Sequence, residues 1–175
     1  MEQRTTGSVK GTETARKALT WEEFAAEVPE FAERIRRRFV RTPHHVLATL
    51  RRDGAPRVSG TEVAFHGPDL TLGSMTGAVK ARDLQRDARF AVHANPGEVV
   101  RGEPMDEGDA KVSGVAVEVT DPDELEGYRE PGQPPGPFHL FRLLLTDAVF
   151  TSVEGDRLVI RSWRPGAGVT ETSRT

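Results

Sequence analysis

The chain has 175 residues, with 24 basic against 27 acidic side chains for a net charge of −3, and 36% of its residues are hydrophobic. That length suits one domain with a substantial core, and the interspersed, nearly balanced charge excludes the electrostatic footprint of a nucleic-acid binder. The absence of cysteine removes disulfides, thiolate catalysis and Cys-containing zinc sites together, and is compatible with the cytosol.

Residues 1–19 (MEQRTTGSVKGTETARKAL) hold no apolar run of signal-peptide type, and nowhere do about 18 apolar residues follow one another. The expectation is a soluble, cytoplasmic protein without a membrane partner. This polar leader and the tail 169–175 read as flexible ends around one domain over 20–168. Thr20-Trp21-Glu22-Glu23 fits a capping box, in which the Thr hydroxyl and the Glu carboxylate satisfy each other's backbone donors. Trp21, Phe24, Ala25, Val28, Phe31, Ala32, Ile35 and Phe39 then recur as one stripe, predicting an amphipathic helix that Pro29 kinks or splits. The basic cluster Arg34 to Arg38 falls at its C-terminal end, where the helix dipole favours cations, and reads as a solvated helix end.

From residue 45 the period changes from helical to alternating. Strands are predicted at His45–Leu50, Arg57–Phe65, Leu70–Ser74, Arg89–Ala94, Lys111–Val119, Phe138–Val153 and Arg157–Trp163, with turns at Arg52-Asp53-Gly54, His66 to Asp69 and Glu154-Gly155-Asp156. A short helix over Val79–Asp87 is inserted among them. Six or seven strands, mostly hairpin-connected, predict a mainly β (α+β) fold built on an antiparallel barrel rather than an alternating α/β sheet. Two stretches fall outside this pattern: the long acidic loop 96–110 and the Pro/Gly-rich crossing segment 121–137.

The chemistry concentrates around GSMTGAVKARDL, residues 73–84. Lys80 falls in the first turn of the inserted helix, an end that already carries partial positive charge. A bound anion makes that placement favourable. In the second strand Arg57, Ser59 and Thr61 point one way, since strand side chains alternate faces. If this strand abuts the 74–80 turn, Arg57, Ser59, Ser74, Thr76 and Lys80 converge with the free helix N–H groups to make a phosphate site. Spacing alone leaves plain readings open: Lys80 pairing with Asp83 on the helix surface, and Arg57 facing solvent on an edge strand. The five histidines, His44, His45, His66, His93 and His139, lack paired ligand spacing, so no metal is expected, and no hydrolase elbow is present.

The runs HHVLATLRRDGAPRVSGTEVAF, LTLGSMTGAVKARDLQRDARFAVHA, DAKVSGVAVEVTDPDEL and LVIRSWRPGAGV, in this order over residues 21–168, resemble the pyridoxamine 5′-phosphate oxidase-like flavin proteins. The resemblance implies a split β-barrel and a homodimer with FMN in a cleft between subunits, or in some branches a deazaflavin or haem. It implies phosphate ligands at Arg57 and Lys80, a segment along the isoalloxazine and ribityl chain at Ser74, Met75 and Thr76, and a flavin contact across the interface at Trp163. It assigns no catalytic residue. Two positions depart from the vitamin B6 oxidases. Glu62 stands where they carry a phosphate-holding Lys, and Arg164-Pro165-Gly166-Ala167-Gly168 replaces their Arg-Leu-His segment. A carboxylate repels the phosphate that the Lys attracts, so the resemblance implies a flavin-dependent oxidoreductase acting on a different small molecule. A deazaflavin reductase, with Arg82, Arg86 and Arg101 lining a groove for its acidic tail, and a flavin- or haem-binding protein without turnover are the competing readings.

Overall fold

The computed structural model describes residues 17–95, 108–129 and 136–175. Helix α1 (Trp21–Glu27) starts at the expected capping box: the Thr20 hydroxyl accepts from the Glu23 N–H at 3.2 Å and the Thr20 N–H donates to the Glu23 carboxylate at 2.8 Å. Pro29 divides the helical stretch. Lacking an N–H and restricting the residue before it, it leaves Val28 non-helical (φ −142°, ψ 69°) and becomes the first residue of α2 (Pro29–Val40).

The strands are β1 (His45–Leu50), β2 (Pro56–Thr61), β3 (Ala64–His66), β4 (Asp69–Met75), β5 (Arg89–His93), β6 (Asp109–Glu118), β7 (Phe138–Glu154), β8 (Arg157–Arg164) and β9 (Gly168–Arg174). Helix α3 (Val79–Arg86) lies between β4 and β5, and a short α4 (Pro122–Gly127) begins the crossing segment. The main path runs β2-β1-β5-β6-β7-β4-β3 with every neighbour antiparallel, and β8 pairs with both β7 and β9. The mainly β, antiparallel architecture expected from the sequence is present, but the barrel is not closed by hydrogen bonds. β2 and β4 pack against each other without forming a ladder. The strand anticipated over 57–65 breaks at Glu62 and Val63, and its continuation, β3, pairs with β4 at the opposite end of the sheet. The wall is split where the chain changes ends.

β7 is 17 residues long and serves both halves of the sheet. It bends at a bulge where the register to β6 slips between Ser113 and Gly114. A Cβ at Gly114 would lie 1.8 Å from the Leu144 carbonyl oxygen, so only glycine permits this approach. The core gathers Phe24, Ile35, Leu47, Leu70, Leu72, Phe141, Leu143, Leu145 and Trp163, all at most 1% exposed. Both N-terminal helices pack on β7, α1 also on β4 and α2 also on β6.

Two expectations need correction. Leu19, assigned to the flexible leader, is buried and exchanges two backbone hydrogen bonds with Leu145 (2.9 and 2.7 Å), continuing the edge of β7 past the end of β4. The supposedly flexible tail 169–175 is instead mostly strand β9, held in full register by β8. Leu143 and Leu145 on β7 are buried in the chain's own core, and Leu144 between them is half-buried. Residues 1–16 of the leader and 96–107 of the acidic loop lie outside the described residues, and no helix among those described is long and apolar enough to cross a membrane.

Candidate cofactor site

Arg57, Ser59 and Thr61 alternate onto the inward-leaning face of β2, while Pro56, Val58 and Gly60 are exposed. The β4–α3 turn follows Met75: the Ala78 N–H donates to the Met75 carbonyl at 3.1 Å, and Gly77 sits at φ 77°, where a side chain is strained. α3 then starts at Ala78 with neither a side-chain cap nor an acidic residue in its first turn. Its N-terminal donors therefore meet no side-chain anion of their own helix.

Lys80 extends from this turn to β2, where its Nζ donates to the Gly60 carbonyl at 2.9 Å and lies 3.5 Å from the Thr61 hydroxyl. It does not pair with Asp83, and no carboxylate lies in ion-pair range of it among the described residues. Partial burial strips water from the ammonium and lowers its pKa, while the charge of Glu62 pulls in the opposite direction. Arg57 is not a solvent-facing edge residue either. Its Nε donates to Asp83 Oδ2 at 2.5 Å, and the same carboxylate accepts from the Thr49 hydroxyl at 3.0 Å and from Arg86 Nη2 at 2.9 Å. The Asp83 side chain is 3% exposed. Burial pushes its pKa up, but the hydrogen bonds from Arg86, Arg57 and Thr49 outweigh burial and hold it below the usual carboxylate value.

Across the turn, Ser74 is buried and its hydroxyl has no hydrogen-bond partner. Thr76 donates to the Pro137 carbonyl at 2.6 Å, fastening the turn to the approach of β7, and Met75 is 83% exposed at its tip. Beyond Arg57 a cavity of about 550 Å³ is lined by Arg52, Arg57, Arg82 and Arg86 with Asp83 at its base. The donor set, two kinds of cation, hydroxyls and an uncapped helix end, fits a phosphate. The orphaned Ser74 hydroxyl, a buried polar group with no partner to repay its desolvation, fits a missing polar ligand atom.

Trp163 does not join them. Its ring is 0% exposed, stacked at a tilt 4.4 Å from Phe24, and its Nε1 donates to Glu27 at 3.2 Å. The alternation of β8 turns this large apolar side chain inward under α1, so it has no surface to present to a partner's cofactor. Sequence reasoning missed Asp83 as the orienter of Arg57. Its signal was a carboxylate between the core positions Ala81 and Leu84 on an amphipathic helix, where a charge is buried and needs partners.

No protein-family model matches the chain, and no curated protein matches it significantly in sequence. Solved structures do match it in fold. A pyridoxamine 5′-phosphate oxidase-related, FMN binding protein from Nostoc punctiforme PCC 73102 superposes with a TM-score of 0.56 over 85% of this chain and 96% of its own, at 14% identity. General stress protein 26 from Bacillus anthracis str. Sterne gives 0.52 over 67% and 91%, at 18% identity. A heme binding protein from Mycobacterium smegmatis gives 0.51 over 75% and 57%, at 18% identity. The chain has the split-barrel fold of the pyridoxamine 5′-phosphate oxidase-related and general stress protein 26 group.

Proposed function

We propose that the seam of β2, the β4–α3 turn and α3 binds FMN by its phosphate, and that the protein is a flavin-dependent oxidoreductase acting on a small molecule. The observation that carries this reading is Lys80: a half-buried ammonium that meets only a carbonyl and a hydroxyl, beside an uncapped helix end. A phosphate gives it a partner of full opposite charge. Arg57, fixed through Nε, offers its terminal nitrogens as a fork. Ser74 supplies an unpaired hydroxyl beside the turn, Thr76 fixes the turn through its bond to the Pro137 carbonyl, and the exposed Met75 gives a soft apolar contact for the ring. When bound, FMN supplies the two-electron chemistry, and the chain supplies binding, orientation and electrostatics. The FMN binding protein from Nostoc punctiforme supports the choice of cofactor.

Titrating FMN into wild type, Lys80→Ala and Arg57→Ala, followed by flavin fluorescence, tests the reading. Each substitution should weaken binding by about 1.5–3 kcal/mol, the range for a hydrogen bond to a charged group. Unchanged affinity in both puts the phosphate elsewhere. Glu62, exposed and facing His44 at 3.2 Å, supports a substrate other than pyridoxamine 5′-phosphate, and FMN-loaded protein that forms pyridoxal phosphate efficiently would overturn that part.

A deazaflavin with a longer acidic tail is the second reading, favoured by the arginine-lined cavity beyond Arg57; Arg101, once counted with this groove, lies outside the described residues. The heme binding neighbour keeps haem as a third cofactor, and one absorbance spectrum of purified protein separates all three. We also propose a homodimer with a shared site. Its support is the set of exposed apolar side chains, Val58 (71%) on β2, Val46 (43%) on β1 and Val117 (44%) on β6, together with Met75 and Val79 at the site itself. Because binding and assembly would then be linked, dilution that dissociates the dimer should release flavin; a monomer of full affinity in sedimentation runs contradicts the shared site.

A further inference from the structure

Behind the turn that carries Ser74, the barrel wall holds a chain of polar groups that phosphate binding does not use. Ser74 on β4 and His139 on β7 are direct cross-strand partners, so their side chains share a face, with Cβ atoms roughly 5 Å apart. His139 is half-buried, and its Nδ1 lies 2.7 Å from Glu118 Oε1 on β6. The Gln85 amide of α3 donates to both oxygens of that carboxylate, at 3.0 and 3.1 Å. An ionised carboxylate only accepts, so this contact keeps a proton on Nδ1 and leaves Nε2 of the neutral ring as a lone pair. Nε2 makes no hydrogen bond to any described residue. His93 is the opposite case: Nδ1 faces the Ala94 carbonyl at 2.7 Å and Nε2 faces Asp109 at 2.9 Å, so neither nitrogen is available.

We propose that His139 is the proton-transfer residue of the flavin site, with Glu118 and Gln85 as its positioning residues. The assignment rests on the flavin reading above. When a substrate C–H bond breaks and its hydrogen leaves with the electron pair to oxidised flavin, the proton on the neighbouring heteroatom must also leave as the carbon–heteroatom double bond forms. His139 Nε2 accepts that proton, and Glu118 offsets the imidazolium charge; in the reverse direction the same nitrogen returns it.

The test follows the histidine ring resonances of the full chain by NMR between pH 5 and 9, without FMN, with FMN, and after dithionite reduction of the FMN. A group beside the ring senses the added negative charge, so the His139 titration midpoint should rise on reduction by about half a pH unit or more, while that of His93 stays put. His139→Gln should delete this resonance and keep FMN affinity within about threefold, because no phosphate ligand is touched. Glu118→Gln should loosen the Nδ1–H tautomer, read as a change in the His139 ring nitrogen shifts. If the wild-type chain binds no FMN, the flavin reading fails and this assignment falls with it. If FMN binds but the His139 midpoint ignores reduction, the assignment alone is overturned and the ring is only a cross-strand pin to Glu118. A tenfold or greater loss of FMN affinity in His139→Gln overturns it differently, by making His139 a cofactor ligand.

Discussion

Arg38 on α2 and Arg57 on β2 are both drawn into the fold, and they end on different acceptors. Arg38 is 2% exposed and reaches the main chain, donating Nε to the Gly108 carbonyl at 2.9 Å and Nη2 to the Asn95 carbonyl at 2.7 Å. Arg57 is held by a carboxylate through Nε at 2.5 Å, and its side chain keeps 28% exposure toward the arginine-lined cavity. An arginine that ends on carbonyls is a staple, here joining the end of β5 to the start of β6. One that is oriented by a carboxylate keeps a directed fork for an anion, because Asp83 fixes its plane without occupying its terminal nitrogens.

Substitution should separate the two roles. Arg38→Ala leaves two carbonyls without their donor and opens a void, so urea denaturation should show a loss of about 3 kcal/mol with the FMN dissociation constant of the folded protein unchanged. A matching loss of FMN affinity would erase the distinction between staple and receptor. Asp83→Asn sharpens the other side through its sign. Removing a negative charge near an anion site should tighten FMN if only summed charge matters. If Asp83 aims Arg57, affinity should instead fall about tenfold, or ~1.4 kcal/mol, and calorimetric titration reads the direction. Ser74→Ala should be milder: thermal stability unchanged or slightly raised, since an unpaired buried hydroxyl is removed, and FMN binding weaker by roughly 0.5–1.5 kcal/mol.

Acid should affect the two regions in separate windows, with the smallest effect at the Arg38 end. His45, whose Nδ1 accepts from the Asn95 N–H at 3.3 Å, has its pKa lowered by burial and then by the charges of His44 and Arg38. The unfolded chain therefore protonates first. The stability tied to neutral His45 is fully present above its unfolded value, roughly 6.5, and is lost as pH falls from there through the folded value. Asp83 also has a lowered folded pKa. Its contribution is full above the unfolded carboxyl value near 3.9 and is lost as pH falls through the folded one. Melting temperature against pH should decline in two steps; His45→Gln should remove the upper, and Asp83→Asn should shrink the lower, to which Asp87 and Glu154, also held below the usual carboxylate value, contribute as well. A single step that neither variant alters would contradict both assignments.

By itself the sequence determined what is encoded over a few residues. Thr20 and Glu23 mark a helix start, Pro29 a break, Arg52-Asp53-Gly54 and Glu154-Gly155-Asp156 reversals, and the change from helical to alternating period a switch from helices to strands. Those signals depend on dihedral preference, capping and turn chemistry, which act locally. The proposed phosphate corner was partly legible for the same reason: Arg57, Ser59 and Thr61 share a strand face, and Lys80 sits at a helix start. Tertiary structure decided which distant groups meet. The break at Glu62 and Val63 sends β3 to the far side of the sheet, Asp83 reaches back 26 residues to Arg57, and Glu118 meets His139 across a strand pair. It also turned Trp163 inward onto Phe24 and extended the polar end of the chain as β9 on β8. Neither outcome follows from local preference, because burial and pairing partners are set by the register of the whole sheet, and one residue of slip reverses every side chain.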